Sequence, residues 1–249
     1  MFSEIDIRKI VKEQLALECN CSPNDFDKKE NILVTPGFSE KRRKFSDKPF
    51  FFKMLTMGEN AVISADERLH DWLREFINDK AGHWLFEHTK LRVIDRYLES
   101  FGKQLFETHH MFLPDGEAKP KNADVPLKCF EREELRPFYE GKQFPNALCE
   151  EFDSERPDML AIAAFDGDKI IAMAGCSADT PLLWQIGIDV KAEYRGKGIG
   201  AFLVSKLRDE VFTRGKIPYY GTSLSNIYSQ RIALSCAFFP AWIEVETKE

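Results

Sequence analysis

The sequence predicts an α+β protein with a mixed central sheet flanked by helices and an additional α/β domain at the N-terminus. Two apolar runs, Leu160 to Phe165 and Lys169 to Cys176, meet at an Asp-Gly-Asp turn, which is typical of a β-hairpin. A third apolar run, Leu182 to Val190, leads through several glycines into a segment with helical spacing, residues 201–214. These three observations predict antiparallel strands that continue into a strand–loop–helix unit.

The loop of that unit has the sequence Arg195-Gly196-Lys197-Gly198-Ile199-Gly200. Glycine backbone adopts positive φ and approaches a ligand closely. The free N–H groups and the dipole of the following helix favour an anion at this position. The loop therefore predicts a phosphate-binding site, to which Arg195 and Lys197 add positive charge.

Two common phosphate-binding loops do not fit this stretch. A Walker loop carries Ser or Thr directly after its lysine, whereas Gly198 follows Lys197 here. A dinucleotide fingerprint has the spacing G-x-G-x-x-G, whereas these glycines run G-x-G-x-G. The loop by itself leaves a plain tight turn open as the alternative.

The segment from Met159 to Trp242 resembles the GNAT superfamily of acyl-coenzyme A-dependent N-acetyltransferases. Arg195, Gly198 and Gly200 fill the family signature Q/R-x-x-G-x-G/A. Residues 190–194 are similar to the usual strand exit, and residues 219–223 are similar to the fifth strand of the family. The resemblance implies a GNAT-like acyltransferase fold in the C-terminal half, with acetyl-coenzyme A as co-substrate.

The resemblance also implies which residues contact the coenzyme. In this family the fourth strand separates from the fifth, and the pantetheine arm bonds to the exposed backbone. The implied cofactor-binding residues are Ile188, Val190, Arg195, Gly196, Lys197, Gly198, Ile199, Gly200, Asn226 and Ser229. Ile188 and Val190 are also compatible with a core strand. Asn226 opens a helix that is predicted to run to Phe238, and it is also compatible with a helix N-cap.

The catalytic acid is where the sequence departs from the family pattern. Many members place a Tyr seven residues after the helix-opening Asn, and that position is Ala233 here. Tyr228, Ser235 or a water molecule could return the proton instead, and packing is the other interpretation of Tyr228. Asp189 alternates with apolar residues of its strand and faces away from them, so it is either a base or a surface carboxylate. Asp189 and Tyr228 are the catalytic candidates.

The chain is predicted to contain two domains. The polar, turn-rich stretch from Pro114 to Pro126 is typical of a linker. We therefore expect an N-terminal α/β domain over 1–125 and the GNAT-like domain over 126–249. The N-terminal part shows helical spacing at 5–17, 67–80 and 90–101, with a predicted hairpin over 50–56 and 61–64. Its role is open, and a degenerate second GNAT-like half is one alternative.

Composition and isolated motifs limit the classes of function. The net charge of −6 argues against a general nucleic-acid binder, and no apolar run reaches the length of a membrane span. The six cysteines lack C-x-x-C pairs, so we expect free thiols and a cytoplasmic protein. His109 and His110 lack a nearby third ligand, so no metal is expected. The basic run Lys41 to Lys44 is interpreted as a solvated loop.

Two functions remain from the sequence. The first is an N-acetyltransferase that moves an acetyl group from acetyl-coenzyme A to a primary amine of a small molecule or a protein. The second is a non-catalytic acyl-coenzyme A-binding sensor or scaffold, which Ala233 and the unassigned N-terminal domain favour. The expected partners are acetyl-coenzyme A and an unknown amine acceptor, without nucleic acid or membrane, and a homodimer is left open.

Overall fold

A computed structural model of the chain describes residues 2–116, 119 and 121–248. The chain divides into two compact units. The N-terminal unit comprises Ile5–Met111 and Ala241–Glu249, and the C-terminal unit comprises Met1–Glu4 and Phe112–Pro240. Residues 117, 118 and 120 of the predicted linker lie outside the described residues. The division into functional domains at residue 125 stays a prediction.

In the N-terminal unit, helices precede and follow the strands of a small sheet along the sequence. Its elements are α1 (Glu4–Cys19), β1 (Ile32–Val34), β2 (Phe52–Thr56), β3 (Ala61–Ala65), α2 (His70–Ile77), α3 (His88–Glu99) and the first half of β4 (His109–Pro114). β2 and β3 form the predicted antiparallel hairpin, with Met54 opposite Ile63, and β1 runs parallel to β3. The C-terminal residues 243–246 return to pair antiparallel with β2.

An apolar core packs α2 and α3 against the strands of the N-terminal unit. Leu73 and Ile77 of α2 and Ile94 and Leu98 of α3 are buried against side chains of β2 and β3. In each helix these two positions are four residues apart, about one turn, which is why the sequence forms amphipathic helices here. The helix predicted over 67–80 begins as a 3-10 turn at Glu67–Leu69 and ends earlier, at Ile77.

The C-terminal unit carries the strands and helices of the predicted transferase fold. They are β5 (Leu127–Glu131), β6 (Asp158–Asp166), β7 (Lys169–Ala178), β8 (Leu183–Val190), α4 (Ile199–Thr213), β9 (Ile217–Ser223), α5 (Ile227–Ser235) and the start of β10 (Phe238–Glu246). Within this unit the strand order is β4-β9-β8-β7-β6-β5. β5 to β8 are antiparallel neighbours, and β9 lies parallel to β8. The predicted mixed sheet is confirmed.

Helix α4 packs on this sheet through one apolar face. Leu203, Val204, Leu207 and Val211 are fully buried in the same core as residues of β6, β7 and β8. The predicted hairpin between β6 and β7 turns at Gly167, whose φ is 57°. A residue with a side chain would be strained in that conformation.

One predicted helix is shorter than expected, and one short segment of the C-terminal unit forms a 3-10 helix. The segment Arg132–Tyr139, which contains Pro137, forms a 3-10 helix. Helix α5 ends at Ser235 and does not reach Phe238. Ala237 has a φ of 56°, and the chain then enters β10, a strand that the sequence did not predict. Buried Phe238 belongs to the sheet core, so burial in the sheet outweighs the continuation of the helical pattern.

Candidate active site

The loop between β8 and α4 leaves the N-terminus of the helix open. Gly196 and Gly198 have φ angles of 76° and 80°, and a Cβ on either residue would meet no atom within 4 Å. Gly198 is the N-cap residue of α4, and no side chain caps this end of the helix. The N–H groups of the first turn are therefore available to an anion. This geometry fits the predicted phosphate-binding role of residues 195–200, which stays a prediction.

The third glycine of the loop lies in a closely packed position. A Cβ on Gly200 would lie 3.2 Å from Cδ1 of Ile232 and 3.3 Å from Cγ2 of Val190. The helix therefore starts in direct contact with β8 and α5. A larger residue here would push the first turn of α4 away from the strand.

The two cations of the loop are exposed and flank the open amides. Nε of Arg195 donates a hydrogen bond to the carbonyl oxygen of Val190 at 3.0 Å. Nζ of Lys197 lies 5.0 Å from the ring centre of Tyr194, and the hydroxyl of that tyrosine donates to Asp166 at 2.6 Å. Both charges thus lie near the loop, and neither has an ion-pair partner among residues 2–116, 119 and 121–248.

β8 and β9 part just before the loop. Their parallel pairing joins residues 183–186 to residues 217–220, with Ile186 opposite Tyr220 as the last pair. β8 runs on to Val190 and β9 to Ser223, with no further pairing between them in the part of the chain that the structure describes. The backbone of Ile188 and Val190 therefore borders a gap in the sheet. The predicted separation of these strands is present, and the coenzyme contact of both residues stays a prediction.

The opposite face of β8 is covered by a polar contact centred on Asp189. Its carboxylate accepts hydrogen bonds from N of Asn146 at 2.7 Å, Nδ2 of Asn146 at 2.6 Å and N of Ala147 at 2.9 Å. The neighbouring Gly187 allows this close approach, since a Cβ there would lie only 1.8 Å from the carbonyl oxygen of Asn146. Asp189 therefore fixes residues 146 and 147 over the strand, while its role as a base stays a prediction.

The first turn of α5 brings together two of the predicted coenzyme contacts. Oδ1 of Asn226 accepts a hydrogen bond from N of Ser229 at 3.1 Å, so Asn226 is the N-cap of the helix. Oγ of Ser229 lies 2.7 Å from the hydroxyl of Tyr220. The N-cap interpretation of Asn226 is confirmed, and its contact with the coenzyme stays a prediction.

Tyr220 is a buried hydroxyl that the sequence interpretation did not single out. The residue is 1% exposed and sits in the core beside Phe238, with ring centres 6.1 Å apart. Burial raises the pKa of Tyr220 to about 12; the hydrogen bond with Ser229 opposes the rise, and the charge of Asp189 adds to it. The only sequence signal was the Tyr219-Tyr220 pair, in which alternation puts one ring on each face of the sheet.

The residues considered as proton donors from the sequence lie elsewhere on α5. Tyr228 is 80% exposed, and its catalytic role stays a prediction. Oγ of Ser235 donates to the carbonyl oxygen of Ile232 at 3.0 Å. Ala233 is fully buried in the core that also contains Tyr220.

Residues 127–238 match the family model of the Acetyltransferase (GNAT) family. The matched range contains the hairpin, the parting strands, the glycine loop and α5. This region is a GNAT acetyltransferase domain. The resemblance inferred from the sequence is therefore confirmed, and so is the predicted enzyme class, an acyltransferase, at the level of the family.

Solved structures resemble the chain at low identity. A GCN5-related N-acetyltransferase-like protein from Streptococcus suis has a TM-score of 0.50 at 14% identity, over 82% of this chain and 86% of that one. A GNAT-family protein from Novosphingobium aromaticivorans has a TM-score of 0.47 at 18% identity, over 59% of this chain and 66% of that one. A GNAT-family acetyltransferase from Colwellia psychrerythraea has a TM-score of 0.43 at 16% identity, over 58% of this chain and 56% of that one. The first of these shows that the GNAT-like fold is shared. No curated protein matches the chain.

Three further expectations from the sequence concern metal binding, membrane spans and the basic run. Among residues 2–116, 119 and 121–248, no group of three or more His, Cys, Asp or Glu side chains is arranged to hold a metal ion. None of the described helices is long and apolar enough to cross a membrane. The interpretation of the run Lys41 to Lys44 as solvated is wrong for Arg43, which is only 2% exposed because it pairs with buried carboxylates.

Proposed function

We propose that this protein transfers an acetyl group from acetyl-coenzyme A to a primary amine of a small molecule or a protein. The observation that carries the proposal is the gap between β8 and β9 after Ile186, followed directly by the open glycine loop. A ligand with an extended amide chain and a diphosphate fits both features at once. Coenzyme A has this chemistry.

Each part of the site has a distinct task in this proposal. The free backbone edge of residues 187–190 hydrogen-bonds to the amides of the pantetheine arm, as an added strand would. The N–H groups at 196–200 and the charges of Arg195 and Lys197 hold the diphosphate. Asn226 and Ser229 contact the coenzyme from α5.

The chemical step needs a free amine, an oriented thioester and a stabilised oxyanion. An N–H group of β8 beside the gap donates to the acyl oxygen as negative charge develops there. Asp189, which lies on the same strand, is the candidate base that accepts the surplus proton of the amine. Tyr228 is the acid candidate from the sequence.

The partners follow from charge and composition. The net charge of −6 disfavours nucleic acid as a partner, so the acceptor in this proposal is an amine, free or on a protein. We place the reaction in the cytoplasm, because the cysteine spacing gives no disulfide framework. The proposal includes no metal and no membrane partner.

Calorimetry with acetyl-coenzyme A, followed by a thiol-release assay over a panel of amines, tests the function. We expect saturable binding and release of free thiol only when an amine is present. Gly196→Val should weaken binding by obstructing the loop. Gly167→Val is the matched control, since its φ is 57° and its surroundings are equally open but it lies in the β6–β7 turn.

Three outcomes separate the alternatives. Binding with turnover that Gly196→Val impairs and Gly167→Val does not would support the transferase. Tight binding without turnover of any amine would favour the acyl-coenzyme A sensor. Absence of binding would overturn both functions.

A further inference from the structure

A hydrogen-bonded pair of hydroxyls lies where β8 and β9 part. Tyr220 belongs to the last pair that joins the two strands, opposite Ile186. Its hydroxyl lies 2.7 Å from Oγ of Ser229 in the first turn of α5. Tyr220 is buried, whereas Ser229 is half-buried, so the pair connects the core to the accessible end of the helix.

The position of Ser229 is fixed by its own backbone. Its N–H group donates to the N-cap Asn226 at 3.1 Å. This bond fixes the first turn of α5, and the hydroxyl of Ser229 then fixes the hydroxyl of Tyr220. A proton donor must be positioned in this way to act on a reacting atom.

The buried Ala233 lies one turn after Ser229 on the same face of α5. Long side chains on a helix lean toward its N-terminus and cover the preceding turn. A hydroxyl carried by position 233 would therefore end near Ser229, but Ala233 has no such group. Tyr220 reaches the same turn from the neighbouring strand.

We propose that Tyr220 donates the proton that the coenzyme thiolate takes up when it leaves, an inference that rests on the proposed acetyl transfer. The amine nitrogen bonds to the acyl carbon, the carbon–sulfur bond breaks, and sulfur takes the phenol proton. Tyrosinate regains a proton from the hydroxyl of Ser229, which is reprotonated by water. The surplus proton of the amine passes to Asp189 and then to solvent, which balances the proton that water supplies to Ser229, so transfer to a neutral amine releases no net proton.

The state of the phenol suits this task. Burial raises the pKa of Tyr220 to about 12. The hydroxyl is therefore protonated at the pH at which an enzyme works. A protonated hydroxyl can also donate a hydrogen bond to a thiolate and stabilise it. The bound thiol should then ionise more readily in the native protein than in a variant without the hydroxyl.

The test is a titration of the thiol of bound coenzyme A, followed by the ultraviolet absorbance of the thiolate. Tyr220→Phe keeps the ring and removes the hydroxyl, and we expect it to raise the pKa of the bound thiol by about one unit. Tyr219→Phe is the matched control, because that hydroxyl bonds to Asp179 on the other face and should leave the thiol unchanged. Ser229→Ala should give a smaller shift, and thermal melting checks that each variant is folded.

Where an amine substrate is found, Tyr220→Phe should lower kcat about 100-fold while the Kd of coenzyme A changes little. Binding of coenzyme A without any shift in the pKa of its thiol in Tyr220→Phe would overturn this inference and leave the proposed function intact. Equal shifts in Tyr220→Phe and Tyr219→Phe would overturn it as well. If the native protein binds no coenzyme A, both proposals are contradicted.

Discussion

The two units place their basic residues in opposite surroundings. In the N-terminal unit, the charged ends of Arg43 and Lys53 are almost completely buried among carboxylates. In the C-terminal unit, Arg195 and Lys197 are exposed beside helix amides that no side chain caps. The sequence shows a short basic cluster around Arg43 and another in the glycine loop, and only the surroundings distinguish a structural charge from one available to a ligand.

The buried charges of the N-terminal unit form a closed network. Arg43 donates from Nε to Glu18 at 2.8 Å and from Nη2 to Glu244 at 2.7 Å. Nζ of Lys53 lies 3.5 Å from both glutamates and 3.0 Å from Glu246. Burial alone would raise the pKa of Glu244, but Arg43 and Lys53 outweigh it and lower that pKa to about 2.

The comparison shows that these buried cations have carboxylate partners, whereas the first turn of α4 has no side-chain cap. An uncompensated buried ion is strongly unfavourable, so each member of the network depends on the others. The first-turn amides of α4 have no side-chain cap, and an uncharged N–H group carries a smaller penalty than a buried ion. Four experiments test this difference.

The largest effect is expected from Arg43→Ala. It leaves Glu18 and Glu244 buried with less compensating charge, and we expect the free energy of unfolding to fall by about 3–5 kcal/mol. Denaturant titration measures it. Lys44→Ala is the control, because Lys44 pairs with an exposed glutamate at 3.4 Å and should change stability by less than about 1 kcal/mol. Similar losses for the two variants would contradict the structural role of the network.

The same network predicts an acid-dependent loss of stability. Because the folded state lowers the pKa of Glu244 from 4.5 to about 2, its contribution is complete above pH 4.5 and is lost as the pH falls toward 2. The loss from this group is about 3 kcal/mol, an order-of-magnitude figure. The free energy of unfolding should depend less steeply on pH in Glu244→Gln than in the native protein over this range. An unchanged slope would contradict the assignment of the acid-dependent loss to Glu244.

A smaller loss of stability is expected at Asp189. Asp189→Asn replaces one acceptor oxygen by a donor facing the N–H groups of residues 146 and 147, and should cost about 1–2 kcal/mol. Denaturant titration measures this, with Glu193→Gln as control, since that exposed carboxylate pairs with Lys169 at the surface. A fall in kcat of about 100-fold or more would add support for Asp189 as the base.

The smallest effect on stability is expected at the glycine loop. Lys197→Ala should leave the free energy of unfolding unchanged and weaken coenzyme A binding about tenfold, because a charge beside the diphosphate is lost. Calorimetry measures the affinity, and Lys206→Ala on the exposed side of α4 is the control. If Lys197→Ala lowers the free energy of unfolding and leaves the affinity for coenzyme A unchanged, Lys197 has a structural role and not a ligand-binding one.

The sequence by itself determined the features that depend on neighbouring residues. Apolar alternation predicted the hairpin of β6 and β7, and glycines followed by helical spacing predicted the loop and α4. Together with Asn226 these local patterns were sufficient to identify the GNAT domain. Helical periodicity predicted an α5 that is longer than the observed helix, because the strand that follows is formed by pairing with distant residues.

Only the tertiary structure decided the partners of the polar side chains. Arg43 meets Glu244 across 201 positions of the chain, and Asp189 meets Asn146 across 43. The pairing of Tyr220 with Ser229 depends on how α5 packs against β9. Spacing along a chain determines which face of an element a side chain occupies, whereas its surroundings are set by packing between elements distant in sequence.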